Sequence, residues 1–433
     1  FMGASVALAG MTACRFPSEE ILPFAHRPEG YVPGEARSYA TAMELGEASQ
    51  GLVVTSFDGR PVKIEGNPLH PASRGATDSW SQAAVLDLYD PDRSRRVIDR
   101  TAGQATHRTW DEFRAVALPA LDALRASGGE GLVVLAEATS SPTVARLRAK
   151  LEARFPKAVW LEYEPVSRDR ALEGSRLAFG RSVRTHLALD DAATIVSFDD
   201  DFLMHHPAAV ANARGWAASR ALEGGVSRVY AVESVHSVTG SNADRRLGVR
   251  PSEVGFLVGL LARKLFVDRG LSLPPGAGGD LLETLRSFQG VGEYDAFVEA
   301  MADDLAGSRG RSVVTVGPSV TPAVHALAHW INAGLDNVGA TVTYTEDPAG
   351  DRPTHDEAIR RFVADADAGK VALAVVLGGN PVAFAPADLD VGAALGRGLA
   401  FHLGSYDDET AAVCSWHLPR AHFLESWNDV ESY

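Results

Sequence analysis

Short apolar runs alternate with amphipathic stretches along most of the chain. Runs typical of buried strands are GLVVLAEA from Gly131, AVWLEYEP from Ala158, ATIVSFDDDF from Ala193 and RVYAVES from Arg228. Helical patterns such as SSPTVARLRAKLEARF and SRDRALEGSRLAFG follow the first two. A second section of the same kind begins at Arg311 with RSVVTVGPSVTPAVHALAHWINAGL and continues through VALAVVLGGNPVAF and GLAFHLGSYDDETAAVC. Strands that alternate with helices in units of about 30 residues predict an α/β fold with doubly wound, mostly parallel sheets.

The pattern before residue 130 differs. Four prolines between residues 15 and 50 predict an irregular segment there, since proline interrupts helices: Pro17, Pro23, Pro28 and Pro33. Residues 51–64 predict a hairpin whose turn is the Asp-Gly of FDGR. SWSQAAVLDLYDPDR and THRTWDEFRAVALPALDALRAS predict two helices, the second capped by Thr109 or Asp111. In the next helix, Ser140 or Ser141 is the expected cap and Pro142 lies in the first turn.

These patterns divide the chain into consecutive segments. With 433 residues the chain exceeds the size of one hydrophobic core, which predicts two or three domains. The expected division is a signal segment at 1–14, an extended and hairpin segment at 15–100, a first α/β domain at 101–250, a helical connection at 251–305 and a second α/β domain at 306–433. The fold is expected to continue beyond the last residue.

Composition narrows the functional classes. With 45% hydrophobic and 22% charged residues, the chain resembles an ordinary soluble globular protein. A net charge of −15 argues against binding to nucleic acid, which needs a basic surface. The two cysteines, Cys14 and Cys414, cannot by themselves form a cysteine-built zinc site, a cubane iron–sulfur cluster or a disulfide framework. No apolar run approaches the ~20 residues that span a bilayer.

The first 14 residues, FMGASVALAGMTAC, form a small, apolar run that ends in a cysteine. Its length matches the apolar region of a signal peptide. GMTAC approximates a lipoprotein cleavage box, so we predict export with lipid attachment at Cys14. Two alternatives stay open: a buried helix with an incidental cysteine, and an uncut signal that anchors the chain.

Several motifs have both a structural and a functional interpretation. VGPSVTPAVH and LGGNP (Gly378–Pro381) are Gly-rich turns after strands, where anions or ligands bind in α/β proteins, but tight turns are favoured here. The His325/His329, His205/His206 and Cys414/His417 pairs lack further ligands nearby in sequence, and His325 and His329 are expected to be packed core residues. The acidic runs Asp199–Asp201 and Asp407–Glu409 are expected to cap helices or face solvent rather than chelate a cation. No G-x-S-x-G elbow is present. The residues alone therefore predict no catalytic site and no metal site.

A longer stretch carries a family resemblance. GLVVTSFDGRPVKIEGNPLHPASRGATDSWSQAAVLDLYDPDR resembles the N-terminal signature of molybdopterin oxidoreductases of the complex iron–sulfur molybdoenzyme type. VHALAHWIN, LGGNPVAFAPAD and DDETAAVCSWHLPRAHFLESW agree with it in order. Together with the signal segment, the whole chain looks like the B subunit of alternative complex III, a membrane-bound quinol oxidoreductase. The resemblance implies a molybdopterin-oxidoreductase-like fold.

The resemblance also implies where cofactors would lie. The four cysteines that hold one [4Fe–4S] cluster in the molybdoenzymes fall at Met43, Gly46, Gln50 and Asp78, so this cluster site is degenerate. The family's Arg-Pro-Gly-Thr-Asp turn appears as RPSEV (Arg250–Val254), with Ser252 and Val254 in place of the glycine and the acid. These departures imply that the chain has lost both the cluster and the pterin.

The function implied is that of a cofactor-free scaffold in a periplasmic iron–sulfur subunit, with a Tat-type signal. Its complex would pass electrons from quinol to a periplasmic acceptor. The [4Fe–4S] and [3Fe–4S] clusters would lie in a further part of the protein or a partner chain. The expected partners are a multihaem cytochrome c, a monohaem cytochrome c carrying haem c and polytopic membrane subunits. The expected location is the periplasmic face of the bacterial inner membrane. Two alternatives remain, an active molybdopterin-dependent oxidoreductase with an altered site and a free periplasmic binding protein.

Overall fold

The computed structural model of the chain describes residues 32–46, 48–222, 225–288, 292–348, 350 and 352–433. The predicted signal segment and Cys14 lie outside these residues. The strands are β1 Ala36–Leu45, β2 Ala48–Phe57, β3 Arg60–Gly66, β4 Val97–Asp99, β5 Thr106–Arg108, β6 Leu132–Ala136, β7 Val159–Glu162, β8 Val183–Leu187, β9 Thr194–Phe198, β10 Arg228–Glu233, β11 Arg245–Gly248, β12 Ser312–Val316, β13 Val342–Glu346, β14 Leu373–Leu377, β15 Leu399–Gly404 and β16 Trp416–Pro419.

Helices connect most of these strands. They are α1 Ser79–Leu88, α2 Trp110–Arg125, α3 Pro142–Arg154, α4 Asp169–Phe179, α5 Ala209–Ser219, α6 Val238–Ser241, α7 Pro251–Arg263, α8 Leu281–Ser287, α9 Gly292–Gly307, α10 Pro322–Gly334, α11 His355–Asp367, α12 Pro381–Phe384, α13 Val391–Gly396 and α14 Glu409–Val413. A 3₁₀ turn spans Leu189–Asp191, and a π-helical turn, Lys264–Asp268, continues α7. Among the described residues, none of the helices combines the length and apolar character required to cross a bilayer.

The first sheet is the antiparallel meander β1-β2-β3. Its second turn is the predicted Asp-Gly, with positive φ at Asp58 (52°) and Gly59 (78°), which suits a tight hairpin. The prediction of an irregular segment up to residue 50 is wrong over 36–45, because β1 pairs with β2 along its whole length, from Ala36 opposite Phe57 to Leu45 opposite Ala48. The proline cluster ends at Pro33, and residues beyond it are free to join a ladder.

The largest sheet has seven strands in the order β5-β4-β16-β15-β14-β6-β7. Strands β16 through β7 run parallel, while β4 and β5 are joined antiparallel at one edge. Strand β6 is buried at every position, as its unbroken apolar sequence predicts. Apolar cores cover both faces of the sheet, one built around Phe362 and Ile359 of α11 and the other around Phe401 and Trp416.

A separate four-stranded parallel sheet has the order β11-β10-β9-β12, and an antiparallel pair, β13-β8, lies outside it. Helix α7 packs against this sheet with an almost wholly apolar sequence, PSEVGFLVGLLAR, in which Leu257 and Leu260 are fully buried. The mixed α/β architecture with mostly parallel sheets was predicted from the alternation of apolar runs and amphipathic helices, and it is confirmed.

The linear division of the chain does not match how the strands are grouped. The seven-stranded sheet takes β6 and β7 from the predicted first domain and β14 to β16 from the predicted second one. The four-stranded sheet likewise combines β9 to β11 with β12, from beyond the helical connection. Strand pairing between segments more than 200 residues apart leaves no trace in local patterns, so the boundaries at 101–250 and 306–433 do not delimit sheets.

Candidate functional site

The structure brings the four degenerate cluster positions together. Met43 on β1 lies opposite Gln50 on β2 in the ladder, Gly46 forms the turn between these strands with φ 57°, and Asp78 caps the N-terminus of α1. All four line one cleft of about 370 Å³. The family register therefore marks a real concave site at one end of the meander.

Side-chain hydrogen bonds join two of these positions, Gln50 and Asp78, to each other and to Ser81. The Gln50 Nε2 donates to Asp78 Oδ2 at 2.5 Å, and the Ser81 hydroxyl donates to Gln50 Oε1 at 3.1 Å. The other carboxylate oxygen, Asp78 Oδ1, accepts from the Ser81 backbone N at 2.8 Å. Both oxygens of Asp78 and both ends of the Gln50 amide are thus engaged, and they tie β2 to the start of α1.

The donor set does not fit an iron–sulfur cluster. Clusters of this kind are held by cysteine thiolates, and none of the four positions carries one. Cys414 is the free cysteine of the described residues, and it is buried in the core beside α11. Burial, followed by the charge of Asp408, raises the pKa of the Cys414 thiol to about 12. A thiol with that pKa stays protonated near neutral pH and is a poor ligand.

The cleft has an apolar rim. Leu45, Trp80, Val166 and Met204 line it with exposed fractions of 54%, 53%, 84% and 39%. Exposed apolar groups that cluster around a concavity are typical of binding surfaces rather than of ordinary monomer surface.

In the seven-stranded sheet the strand order reverses between β6 and β14, the place where open α/β sheets bind ligands. Here the LGGNP turn approaches Glu137, which is ion-paired with Arg420 at 2.5 Å. Gly378 has φ 77°, and a Cβ on it would lie 2.1 Å from the Glu137 Oε2. Asn380 caps the short helix α12. The motif thus has the geometry of a tight turn, and the crevice beside it, of about 170 Å³, is lined by two acidic side chains, Glu137 and Glu164.

At the second reversal, between β9 and β12, the chain itself occupies the space between the strand ends. A Cβ on Gly317 would lie 1.8 Å from the Asp199 carbonyl oxygen, so the two strand ends touch. Asp199 accepts from the Ser234 backbone N at 2.7 Å, and Asp201 accepts from the Thr239 backbone N at 2.9 Å. Asp201 thus binds the first turn of α6, in line with the predicted capping role, whereas Asp199 binds the residue that follows β10.

Asp200, the middle residue of the acidic run, is buried and accepts a hydrogen bond from Thr315. Burial raises the pKa of its carboxyl. In the other acidic run, Asp408 caps α14 by accepting from the Ala411 backbone N at 2.9 Å. Within the described ranges, no three His, Cys, Asp or Glu side chains are grouped in a way that would hold a metal ion.

The histidines on α10 are packed core residues, as predicted. Burial lowers the pKa of His325 to about 3 and that of His329 to about 4. The His329 ring is within 3.0 Å of the Tyr344 hydroxyl. In the other two pairs, His206 is buried and its Nδ1 accepts from the Ala208 backbone N, whereas the His205 side chain is 67% exposed beside Asp201.

His417 has a partner that its sequence neighbours do not show. Its Nδ1 lies 3.1 Å from the Nδ1 of His402 on the adjacent strand, and its Nε2 lies 2.6 Å from the Ser94 hydroxyl. Both imidazoles are fully buried, and burial is the main reason that the pKa of His417 falls to about 4.

The RPSEV stretch begins helix α7. Arg250 is its N-cap residue and pairs with Glu253 at 2.6 Å, while Val254 is fully buried in the core. An apolar side chain thus packs at the position where the family has an acid.

One feature of the site was missed in the sequence. The loop Thr139–Thr143, between β6 and α3, presents hydroxyl and amide donors that bind two carboxylates from distant parts of the chain. Glu44 on β1 accepts from the Thr139 hydroxyl at 2.6 Å and from the Ser140 backbone N at 2.5 Å. Asp429 accepts from the Ser141 hydroxyl at 2.6 Å and from the Thr143 backbone N and hydroxyl at 3.0 and 2.7 Å. The hydroxyl-rich letters TSSPT could have signalled an anion-binding loop, but nothing local identifies its partners.

The chain is similar to two known proteins, one in sequence and one in structure. No family model matches the chain. The menaquinone reductase, molybdopterin-binding-like subunit of Nitratidesulfovibrio vulgaris is 29% identical over 233 residues, which cover 52% of this chain and 32% of that protein. Acetylene hydratase from Pelobacter acetylenicus superposes with a TM-score of 0.67 at 13% identity, over 90% of this chain and 62% of that one. The chain has a molybdopterin-oxidoreductase-like fold. It spans about a third of the length of the curated relative that it matches.

The fold implies a pterin cofactor, and the residues at the strand ends do not fit one. Phosphate groups bind at helix N-termini and Gly-rich loops after parallel strands. Here the donors of Thr139–Thr143 are engaged by Glu44 and Asp429, the crevice beside Gly378 holds Glu137, and Gly317 touches Asp199. A phosphate-bearing group would have to displace the carboxylates of Glu44 and Asp429, or lie against those of Glu137 and Glu164.

Proposed function

We propose that the chain is a cofactor-free scaffold in a membrane-bound quinone- or quinol-reactive electron-transfer complex. The observation that carries this proposal is the hydrogen-bonded set Gln50–Asp78–Ser81 at the cluster positions. A side-chain amide and a carboxylate that bond to each other stabilise the meander and offer none of the thiolates that an iron–sulfur cluster needs. The chain's contribution is then its shape, which fixes the positions of neighbouring redox subunits.

The membrane complex is supported by the relative from Nitratidesulfovibrio vulgaris, whose name describes a menaquinone reductase subunit that is molybdopterin-binding-like. The finer form of the proposal is the B subunit of alternative complex III, on the periplasmic face of the inner membrane. In that form, iron–sulfur clusters lie in a further part of the protein or a partner chain, and haem c lies in cytochrome subunits. Polytopic membrane subunits complete the complex.

The relative's name also favours a second candidate, in which the complex reduces menaquinone instead of oxidising quinol. The two candidates share the scaffold role and differ in the direction of electron flow. An active molybdopterin oxidoreductase with an altered site is a further alternative, against which the occupied donors of Thr139–Thr143 argue.

The test is purification of the tagged chain from detergent-solubilised membranes of its native host. We expect it to co-purify with c-type haem, visible in pyridine haemochrome spectra, and with quinol-dependent reduction of a cytochrome. Menaquinone reduction without quinol oxidation would select the second candidate. Recovery in the soluble fraction without haem proteins, or one molybdenum or tungsten atom per chain, would refute the scaffold proposal.

A further inference from the structure

Residues 428–433, NDVESY, contact the meander, the loop after β6 and strand β8, and we call them the strap. The Asn428 side chain donates to the Ala42 carbonyl of β1 at 2.8 Å. The Glu431 backbone carbonyl accepts from the Ser49 hydroxyl of β2 at 2.6 Å, and its N donates to the Ser140 hydroxyl at 3.0 Å. The strap thus bonds to the meander and to the loop after β6 at once.

The strap places a carboxylate on the first turn of α3. Asp429 accepts three hydrogen bonds there, and those from Ser141 and Thr143 lower the pKa of its carboxyl. With Glu44 bound to Thr139 and Ser140, two negative groups lie side by side on one loop of hydroxyls and amides. Paired anionic oxygens on such a loop, at the start of a helix that follows a parallel strand, are what a diphosphate would supply.

The last residue of the strap, Tyr433, places its aromatic ring among two arginine and two histidine side chains. The Tyr433 ring centroid lies 5.9 Å from the guanidinium of Arg168 and 5.5 Å from that of Arg184. The rings of His186 and His206 lie 5.5 and 5.4 Å from it. A planar group between cations and imidazoles gains cation–π and edge-to-face contacts.

The cavity behind this ring retains a polar atom open to a ligand. His325, 5% exposed, lines it together with Arg168 and Tyr433. The Nε2 of His325 is buried and has no hydrogen-bond partner among the described residues. Buried polar atoms are normally paired, and the cavity of about 40 Å³ beside this nitrogen has room for a small polar group of about the size of a water molecule.

We propose that the strap is a ligand supplied by the chain itself. Its Asp429 carboxylate, with that of Glu44, occupies a diphosphate-type anion site at Thr139–Thr143, and its Tyr433 ring occupies an adjoining site for a planar group. In these positions the strap joins the meander, the loop after β6 and strand β8 as a bound ligand would. This inference does not depend on the proposed function, since it concerns only contacts within the chain.

The test compares matched variants of the full chain by hydrogen–deuterium exchange. Asp429→Asn is paired with Glu431→Gln, whose hydrogen bonds in the structure run through the backbone. Tyr433→Leu is paired with Trp427→Leu, which removes a fully exposed ring. We expect Asp429→Asn to speed exchange at amides 143–145 on the order of tenfold, as loss of a helix cap does, and its control to leave them unchanged. Equal exchange in Asp429→Asn and wild type would overturn the proposal.

Binding of inorganic pyrophosphate gives a second, independent readout. The Glu44→Gln/Asp429→Asn variant, with circular dichroism showing that it is folded, is titrated calorimetrically beside the wild type. We expect the double variant to bind pyrophosphate at least about tenfold more tightly than wild type, because two competing charges are gone, and pyrophosphate to slow exchange at 143–145. Equal affinity in the two proteins, or no binding to the folded double variant, would overturn the anion site.

Discussion

Replacing Asp78 by Ala removes the residue on which the degenerate cluster site depends. Two interactions are lost: the cap of α1, through Asp78 Oδ1 and the Ser81 backbone N at 2.8 Å, and the bond from Gln50 to Oδ2 at 2.5 Å. A lost aspartate cap costs about 1 kcal/mol, and a lost, partly buried hydrogen bond costs about 1 kcal/mol more. Together they predict about 2 kcal/mol, or roughly thirtyfold, in the local opening equilibrium of α1.

The assay is native-state hydrogen exchange at the amides of residues 81–85, since global unfolding of a chain this long need not be two-state. Asp390→Ala is the matched control: Asp390 caps α13 through the Ala393 backbone N at 2.8 Å, and among the described residues no side-chain amide bonds to it as Gln50 does to Asp78. We expect its effect on α13 to be about half as large in free energy. The Gln50→Ala variant completes a double-mutant cycle, with a coupling of about 1 kcal/mol.

The reasoning is refuted if Asp78→Ala changes exchange in α1 by less than threefold, or if Gln50 and Asp78 show no coupling. Either result would mean that the four positions are merely adjacent, and that the loss of cluster ligands left no structural replacement.

Three further predictions test other parts of the structure. Burial lowers the pKa of His329 and of His417 to about 4, below the ordinary histidine pKa of 6.5, so the unfolded chain takes up protons first as the pH falls. The free energy of unfolding, measured by urea titration, should be highest above pH 6.5 and fall as the pH is lowered towards 4. The fall should be smaller in His417→Gln. A urea midpoint that does not change with pH would contradict this. Gly378→Ala should lower the melting temperature, because φ is 77° and Glu137 blocks the Cβ, whereas Gly396→Ala, which meets open space, should not. Val166→Glu, on the rim of the cleft, should reduce co-purification with haem proteins, and Leu222→Glu, equally exposed at 89%, should not.

The helix caps and the hairpin turn could be predicted from the sequence. Thr109 and Ser141 cap the helices for which they were candidates, and Asp58-Gly59 forms the hairpin turn. These features depend on a few adjacent residues and on fixed backbone preferences. The family register was equally informative, since it identified four positions, Met43 to Asp78, that the fold brings to one cleft.

Strand pairings and hydrogen bonds between residues that are distant in sequence could not be predicted from the sequence. Strand β1 lacks a strong apolar alternation, and its ladder with β2 fixes it instead. The grouping of β6 with β14 follows from pairing across more than 200 residues. The hydrogen bonds that Asp429 accepts from Ser141 and Thr143 join residues 286 or more positions apart, so the sequence NDVESY alone does not predict them.

The most direct test of the central claim is elemental analysis of the chain, purified anaerobically and freed of partner subunits, by inductively coupled plasma mass spectrometry. Since Gln50, Asp78 and the loop Thr139–Thr143 use their polar groups within the chain, we predict only trace molybdenum and tungsten, and no loss of iron in the Asp78→Ala variant. One molybdenum or tungsten atom per chain, or a loss of about four iron atoms in Asp78→Ala, would contradict the account.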